Sequence, residues 1–251
     1  MEVFADTGTD IFEAMYQQNP LPDGDRLASR AWIYGDDTHP GCLDITRGVA
    51  EPSGNVSNPV RVFSIDPSPT RYAGLIVADL DFNRNAFECE ILEIRREKMQ
   101  VRDMINHIER VVDWYQPQYF VFEQNAAQRW FLQDPIMDKL RKRLRIVPHT
   151  TSRNKGDPVL GIESLSTDFE FGRIRLPHGD AEAKAMSEYL IEEILTYPQG
   201  KTDDLLMALW FLKFNFTRLV PHTRAVGGPA NGPGYNIPAR LNDGWWWTKS
   251  A

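Results

Sequence analysis

Several features that would assign this chain to a common class are missing from it. Only two of its 251 residues are cysteines, Cys42 and Cys89, and they are far apart. A disulfide framework or a zinc site is therefore not expected, and a reducing compartment fits. The longest apolar run, from Leu205 to Leu212, is far too short to span a bilayer, and the acidic N-terminus lacks a signal pattern. We expect a soluble intracellular protein without membrane contact.

A basic excess is also missing. The formal net charge is −7, which argues against a dedicated high-affinity DNA-binding module but not against a nuclease that uses metal ions. Basic residues do form local clusters, and each cluster fits either a solvated helix face or a contact with DNA. The clusters are Arg95, Arg96 and Lys98; Arg141, Lys142, Arg143 and Arg145; and Arg153 with Lys155.

Familiar catalytic and nucleotide-binding motifs are missing as well. Gly200-Lys201-Thr202 imitates the end of a phosphate-binding loop, but the glycine required five residues earlier is replaced by Leu195. No ATP site is therefore expected. The five histidines do not have the spacing of a zinc protease, and His107 is expected on a solvated helix face. No Gly-x-Ser-x-Gly elbow is present.

The distribution of residues divides the chain into three parts. Residues 1–59 are rich in Pro, Gly, Asp and Asn and read as a leader or linker with one short helix near 11–17. Residues 60–217 carry the periodic patterns of a folded domain. Residues 218–251 return to Gly and Pro, end in three tryptophans at 245–247, and are expected to form an extended tail.

The folded part predicts a mixed α/β sheet. Three strands at 60–65, 72–80 and 87–94 have short connections and are expected to be antiparallel, while strands at 119–122, 145–149 and 173–176 follow helices and are expected to be parallel. Helical spacing of apolar residues predicts helices at 101–115, after Asp180 and at 203–216, and a helical segment with Leu140 and Leu144 that is interrupted near Pro135. Asp157-Pro158 and Gly172 fit the start and the end of a further helix. Helices should cover both faces.

Three carboxylate sites stand at the edges of apolar runs. Asp66 follows Val-Phe-Ser-Ile, Glu123 follows Tyr-Phe-Val-Phe, and Asp203-Asp204 opens an apolar helix. A carboxylate at the end of a buried strand is costly unless it is compensated. Ligands of open α/β sheets collect at the carboxyl ends of strands, so these acids can meet there and hold two Mg²⁺ or Mn²⁺ ions for phosphodiester hydrolysis.

Each acidic site also has a simpler interpretation. Asp66-Pro67 fits a turn at a strand exit, Glu123 fits a surface position, and the Asp203-Asp204 pair fits a helix cap with a dipole-matched acid. The metal interpretation rests on all three sites occurring in this order. Lys155 lies in a loop before a helix, where a lysine can meet a phosphate or orient water. With Arg153 and Arg143 it is a candidate for DNA binding.

Residues 60–216 resemble the C-terminal nuclease domain of tailed-phage terminase large subunits. The matching stretches are Val-Phe-Ser-Ile-Asp-Pro-Ser, Phe-Val-Phe-Glu-Gln-Asn, Asn154-Lys155 with Gly161-Ile-Glu-Ser-Leu, Gly172-Arg-Ile-Arg-Leu-Pro, and Gly-Lys-Thr-Asp-Asp-Leu-Leu-Met-Ala-Leu-Trp-Phe. The resemblance implies an RNase H-like fold and a metal-dependent endonuclease that cuts double-stranded viral DNA during packaging.

The resemblance also implies roles for residues and partners. The catalytic acids fall on Asp66, Glu123 and Asp204, with Asp203 close by, and either member of the aspartate pair fits the third metal-ligand position. The partners are DNA, an ATPase motor, a small terminase subunit and a portal, in the cytoplasm of an infected bacterium. The family's ATPase has no counterpart here, so an isolated domain or a separately encoded nuclease half is expected. Two alternatives stay open: another RNase H-like nuclease such as a junction resolvase or transposase core, and a non-enzymatic docking module.

Overall fold

The protein is built on a seven-stranded mixed sheet. A computed structural model describes residues 27–54, 56, 59–68, 72–82, 86–124, 135–157 and 160–219. The strands follow the order β1-β7-β4-β3-β2-β5-β6 across the sheet. They are β1 Leu43–Asp44, β2 Val60–Asp66, β3 Ala73–Leu80, β4 Cys89–Glu97, β5 Tyr119–Glu123, β6 Arg145–His149 and β7 Ile174–Pro177.

The strand directions agree with the sequence prediction. β2, β3 and β4 pair antiparallel, whereas β5 and β6 run parallel to β2, and β7 runs parallel to β4. All eight residues of β3 are buried, as the apolar run at its centre predicted. The predicted mixed sheet, with three leading antiparallel strands and later parallel ones, is therefore confirmed.

Helices cover both faces of the sheet, and the sheet separates two hydrophobic cores. They are α1 Arg30–Tyr34, α2 Val101–Tyr115, α3 Pro135–Arg141, α4 Leu165–Glu170, α5 Ala181–Thr196 and α6 Asp204–Asn215. On one face, α2 and α3 pack on side chains such as Phe63 and Ile65. On the other face, α5 and α6 pack on Val62 and Ile76. The run from Leu205 to Leu212 is buried throughout, which explains why α6 is apolar on all sides.

The part of the chain before residue 60 contributes to the sheet and the core. β1 pairs parallel with β7, and Leu27 and Ile33 are buried in the core shared with α5 and α6. Buried Arg47 ties this segment to the sheet, because its guanidinium donates to Asp44 at 2.9 Å and to the Ile91 carbonyl at 3.0 Å. The sequence-based boundary at residue 59 therefore cuts through a structured region. The helix predicted near 11–17 and the tryptophans at 245–247 lie outside the described residues.

Two local predictions differ from the structure. The helix expected over 157–172 is confined to Leu165–Glu170, preceded by 3₁₀ turns at Arg153–Gly156 and Ile162–Ser164. His107 is buried on α2 rather than solvated. Its Nδ1 lies 3.2 Å from a guanidinium nitrogen of Arg110, one helical turn away, and the helical spacing of the apolar residues alone did not indicate this burial. No helix in the described ranges is long and apolar enough to cross a membrane.

Candidate active site

Two of the predicted acids end neighbouring parallel strands. β2 and β5 are in register up to the pair Ile65 and Phe122, and Asp66 and Glu123 follow one position later. Parallel strands bring their carboxyl ends to the same edge of a sheet. Glu123 is buried, Asp66 is half-buried, and their side chains are joined by a hydrogen bond. The interpretation of Glu123 as a surface residue is therefore not what the structure shows.

A glycine on the adjacent strand lets helix α6 reach these two acids. Gly74 of β3 is the register partner of Asp66. A Cβ atom at Gly74 would lie 2.8 Å from the Leu205 amide nitrogen and closer still to the Asp204 carbonyl. The start of α6 thus rests directly on the strand backbone, and the Ser64 hydroxyl donates to the Ala208 carbonyl at 2.8 Å. This contact places Asp203 and Asp204 near enough to Asp66 to affect its ionisation.

Helix α6 is capped by a glutamate from another helix. The Asp203 side chain makes no capping hydrogen bond. Instead, Oε2 of buried Glu193 on α5 accepts from the amides of Leu205 at 2.8 Å and Leu206 at 2.9 Å. Its other oxygen accepts from Arg96 at 3.2 Å and Thr202 at 3.1 Å. The Asp203 carboxylate is therefore not required to cap the Leu205 and Leu206 amides.

Sequence reasoning missed Glu193, although a signal was present. Met186, Leu190 and Ile194 form the apolar stripe of α5, and Glu193 lies seven residues after Met186 on the same stripe. A glutamate at such a position is buried and needs partners. Its partners are a helix terminus and an arginine, which the linear sequence does not reveal.

The convergence of acids raises the pKa of Asp66 well above its usual value. Burial is the largest cause, followed by the negative charges of Glu123, Asp204 and Asp203, and the hydrogen bond to Glu123 adds to it. Carboxylates that share a site in this way disfavour each other's ionised form. The site therefore favours a bound proton or a bound cation.

Lys155 is the predicted cation that reaches this cluster. Its Nζ lies 2.5 Å from Oδ2 of Asp203. The 3₁₀ turn Arg153–Gly156 that carries it is anchored by Asn154, which accepts from the Ser152 amide at 2.7 Å and donates to the Thr150 carbonyl at 3.1 Å. Lys155 is thus held at the rim of the site by a structured turn.

The other two predicted DNA-binding residues are placed differently. Arg143 precedes β6, so it lies at the edge of the sheet opposite to Glu123, where its guanidinium binds Asp113 at 2.5 Å. The structure does not bring Arg143 to the carboxylates. The backbone of Arg153 belongs to the same 3₁₀ turn as Lys155, and its side chain lies outside what is described.

The donor set at this edge suits a hard divalent cation. Mg²⁺ and Mn²⁺ prefer carboxylate oxygens, and Asp66, Glu123, Asp203 and Asp204 supply them from three separate elements. Within the described ranges, no three His, Cys, Asp or Glu side chains already stand in metal-binding geometry. Side-chain rotation would therefore have to accompany binding, beginning with the Asp66–Glu123 hydrogen bond. The residues fit the ion in the chemistry of their donor atoms, and all three other carboxylates lie near enough to affect the ionisation of Asp66.

Comparison with solved structures identifies the fold. The large terminase of bacteriophage D6E superposes with a TM-score of 0.54 and 10% identity, over 86% of this chain and 51% of that one. The nuclease domain of the P22 large terminase gives 0.49 at 14% identity, covering 75% and 95%. Thermus thermophilus RuvC gives 0.37 at 16% identity, covering 63% and 96%. No protein-family model and no curated protein matches the chain.

The D6E comparison carries one conclusion, which is that this chain shares the fold of about half of that large terminase. The chain spans about half of the D6E protein's length. At this level of identity the comparison establishes architecture, and activity has to be argued from the site.

Proposed function

We propose that this protein is a metal-dependent DNA endonuclease that hydrolyses phosphodiester bonds of double-stranded DNA. The observation that carries the proposal is the convergence of Asp66, Glu123, Asp203 and Asp204 at one edge of an RNase H-like sheet. These acids come from two strand ends and one helix start, so no local structural need explains their meeting.

The acids of the site have separate tasks in this mechanism. Asp66 is the central ligand, since it neighbours all three other carboxylates. Glu123 and Asp204 would supply further carboxylate ligands, and Asp203, which is paired with Lys155, would supply another. When bound, two Mg²⁺ or Mn²⁺ ions supply an activated water and stabilise the leaving oxygen of an in-line displacement.

Lys155 gives the site its contact with the substrate. Its ammonium is paired with Asp203 at 2.5 Å and is about one third exposed. At this position the ammonium would also be able to bind a phosphate oxygen of the DNA. The remaining affinity would come from phosphate contacts, so binding should weaken steeply with salt.

A biological role in packaging is the finer part of the proposal. The fold match to a large terminase over 86% of this chain supports a terminase nuclease that cuts viral DNA. Its partners would be an ATPase motor, a small terminase subunit and a portal, with the motor raising the local DNA concentration.

Plasmid cleavage tests the activity. Supercoiled plasmid is incubated with Mn²⁺, with Mg²⁺ and with EDTA, using the native protein, Asp66→Asn and the control Asp138→Asn, a change to an exposed acid on α3. We expect metal-dependent cleavage by the native protein and the control and none by Asp66→Asn. Cleavage that survives in Asp66→Asn would refute the assigned site.

Two further results separate the alternatives. Preference for a four-way junction over linear duplex would favour a junction resolvase over a terminase. Absence of cleavage with any metal, together with absence of metal binding by calorimetry, would favour the docking module.

A further inference from the structure

A row of paired residues links the carboxylate site to a second surface. Asp66, Gly74 and Arg96 are register partners on β2, β3 and β4. Paired residues point to the same face of a sheet, and adjacent strands lie ~4.8 Å apart. Arg96 therefore projects from the same face as Asp66, about 10 Å away, with the start of α6 between them on Gly74.

Arg96 is the centre of a basic–aromatic patch, which we define as Tyr72, Arg96, Lys98 and Tyr189. The Arg96 guanidinium carbon lies 4.6 Å from the Tyr189 ring centroid and 5.3 Å from that of Tyr72. The Lys98 ammonium lies 5.1 Å from the Tyr72 ring. Cations and aromatic faces thus alternate along the patch, an arrangement in which each cation is attracted to the neighbouring ring.

The inner and outer members of the patch differ in what they contact. Arg96 is committed to the protein, because it donates to Glu193 at 3.2 Å and to Thr202 at 2.9 Å. The exposed Glu192 carboxylate lies 3.9 Å from the same guanidinium and offsets its charge. Arg96 therefore fixes the two rings rather than supplying a charge to a ligand.

The outer members are available to a ligand. Lys98 is exposed and forms no ion pair with any residue of the described ranges. Tyr189 is 47% exposed, one of few large hydrophobic side chains at the surface of the described part. A cation and an aromatic face side by side are what a nucleic-acid strand requires, with its charged phosphates and flat bases.

We infer that the basic–aromatic patch holds the DNA strand beside the scissile phosphate, with Lys98 on a phosphate and the Tyr189 ring against a sugar or base. The inference rests on the proposed nuclease function and names the surface that positions its substrate. The spacing of ~10 Å between Asp66 and Arg96, at the centre of the patch, corresponds to about three nucleotides at ~3.4 Å of rise per nucleotide.

Matched variants test the patch by DNA binding. Fluorescence anisotropy is measured with labelled duplex and with single-stranded DNA of the same length, in an Asp66→Asn background with EDTA and at several salt concentrations. Lys98→Ala is paired with Lys142→Ala, an exposed lysine beside Arg143 at the opposite edge. Tyr189→Ala is paired with Tyr34→Ala, another exposed tyrosine under an arginine, at 4.8 Å.

The two patch variants should fail in different ways. Lys98→Ala should weaken binding about 5- to 10-fold and lower the salt slope by about one, since one phosphate contact is lost. Tyr189→Ala should weaken binding about 5- to 100-fold without changing the slope, since stacking is not electrostatic. Both controls should stay within about two-fold, and all variants should keep the native melting temperature.

The outcomes separate the patch from the nuclease. If the native protein cleaves DNA while both patch variants bind DNA like their controls, the proposed role of the patch is refuted and the proposed nuclease function is supported. If the native protein neither binds nor cleaves DNA, both proposals fall. A larger loss for single-stranded than for duplex DNA in Tyr189→Ala would assign the ring to a base, and an equal loss would assign it to the sugar.

Discussion

Replacing Gly74 with alanine should inactivate the site without touching any of its acids. The new Cβ would lie 2.8 Å from the Leu205 nitrogen, whereas ordinary contacts are 3.4–4 Å. The opposing atoms are backbone, which cannot rotate away. The start of α6 must therefore retreat by about 1 Å, and such misplacement of a catalytic group costs up to ~100-fold in rate.

The stability cost of the same change should be modest. Overpacking a well-filled contact costs about 1–3 kcal/mol, which for a chain of this size lowers the melting temperature by ~2–12 °C. Gly156→Ala is the matched control, because a Cβ there meets nothing within 4 Å. Plasmid cleavage and thermal unfolding are measured on both variants, and activity is compared at a temperature where each is folded.

Cleavage at the native rate by folded Gly74→Ala would refute the reasoning. It would mean that the position of Asp204 relative to Asp66 does not matter, and the aspartate pair would then be only the start of a helix. A loss of activity matched by global unfolding would be uninformative about position, so the comparison of folded fractions decides the result.

Three other perturbations follow from the contacts described. Glu193→Ala removes the buried carboxylate that accepts from the Leu205 and Leu206 amides and from Arg96. We expect the free energy of unfolding, measured in urea, to fall by ~3–5 kcal/mol. Glu193→Gln should lose clearly less stability, because its side chain keeps one carbonyl oxygen as an acceptor. Asp66→Asn removes an acid whose pKa is raised by burial and by neighbouring carboxylates. In the absence of metal, this variant should have a higher melting temperature than the native protein. Mn²⁺ at about 100 times its Kd should raise the free energy of unfolding of the native protein by ~2.7 kcal/mol and leave that of the variant unchanged. A lower melting temperature for metal-free Asp66→Asn would contradict the repulsion argument. Burial, together with the charges of Arg95 and Arg110, lowers the pKa of His107 to about 3. Below pH ~6.5 the imidazole is protonated in the unfolded chain but stays neutral in the folded protein, so the free energy of unfolding should fall by about 2 kcal/mol between pH 7.5 and pH 5. His107→Asn should reduce this pH dependence of stability.

The sequence predicted the elements that repeat over many residues. Helix α2 was bounded correctly because five apolar residues recur at helical spacing between Val101 and Tyr115. The pairing of Asp66 with Glu123 was also accessible, since a strand after a crossover helix is parallel to the first. That these two acids act in catalysis remains a prediction.

What the sequence did not reveal depends on distant contacts. α1 and β1 are five and two residues long and have no readable period. Whether Arg143 or Lys155 lies at the acidic edge is decided by strand direction and by the fold of a 3₁₀ turn. Gly74 and Glu193 acquire their roles from contacts with α6. This helix begins more than a hundred residues after Gly74 and about ten residues after Glu193.

The capping of α6 by Glu193 separates folding from chemistry at this edge. Most helices that begin with aspartates depend on them, so changing the aspartates weakens the helix. Here the Leu205 and Leu206 amides are satisfied from α5, so a change of the Asp203 side chain removes no cap from the helix. Sequences that vary position 203 can therefore keep the helix while losing, altering or regaining activity, which makes this edge of the protein open to evolutionary and engineered change.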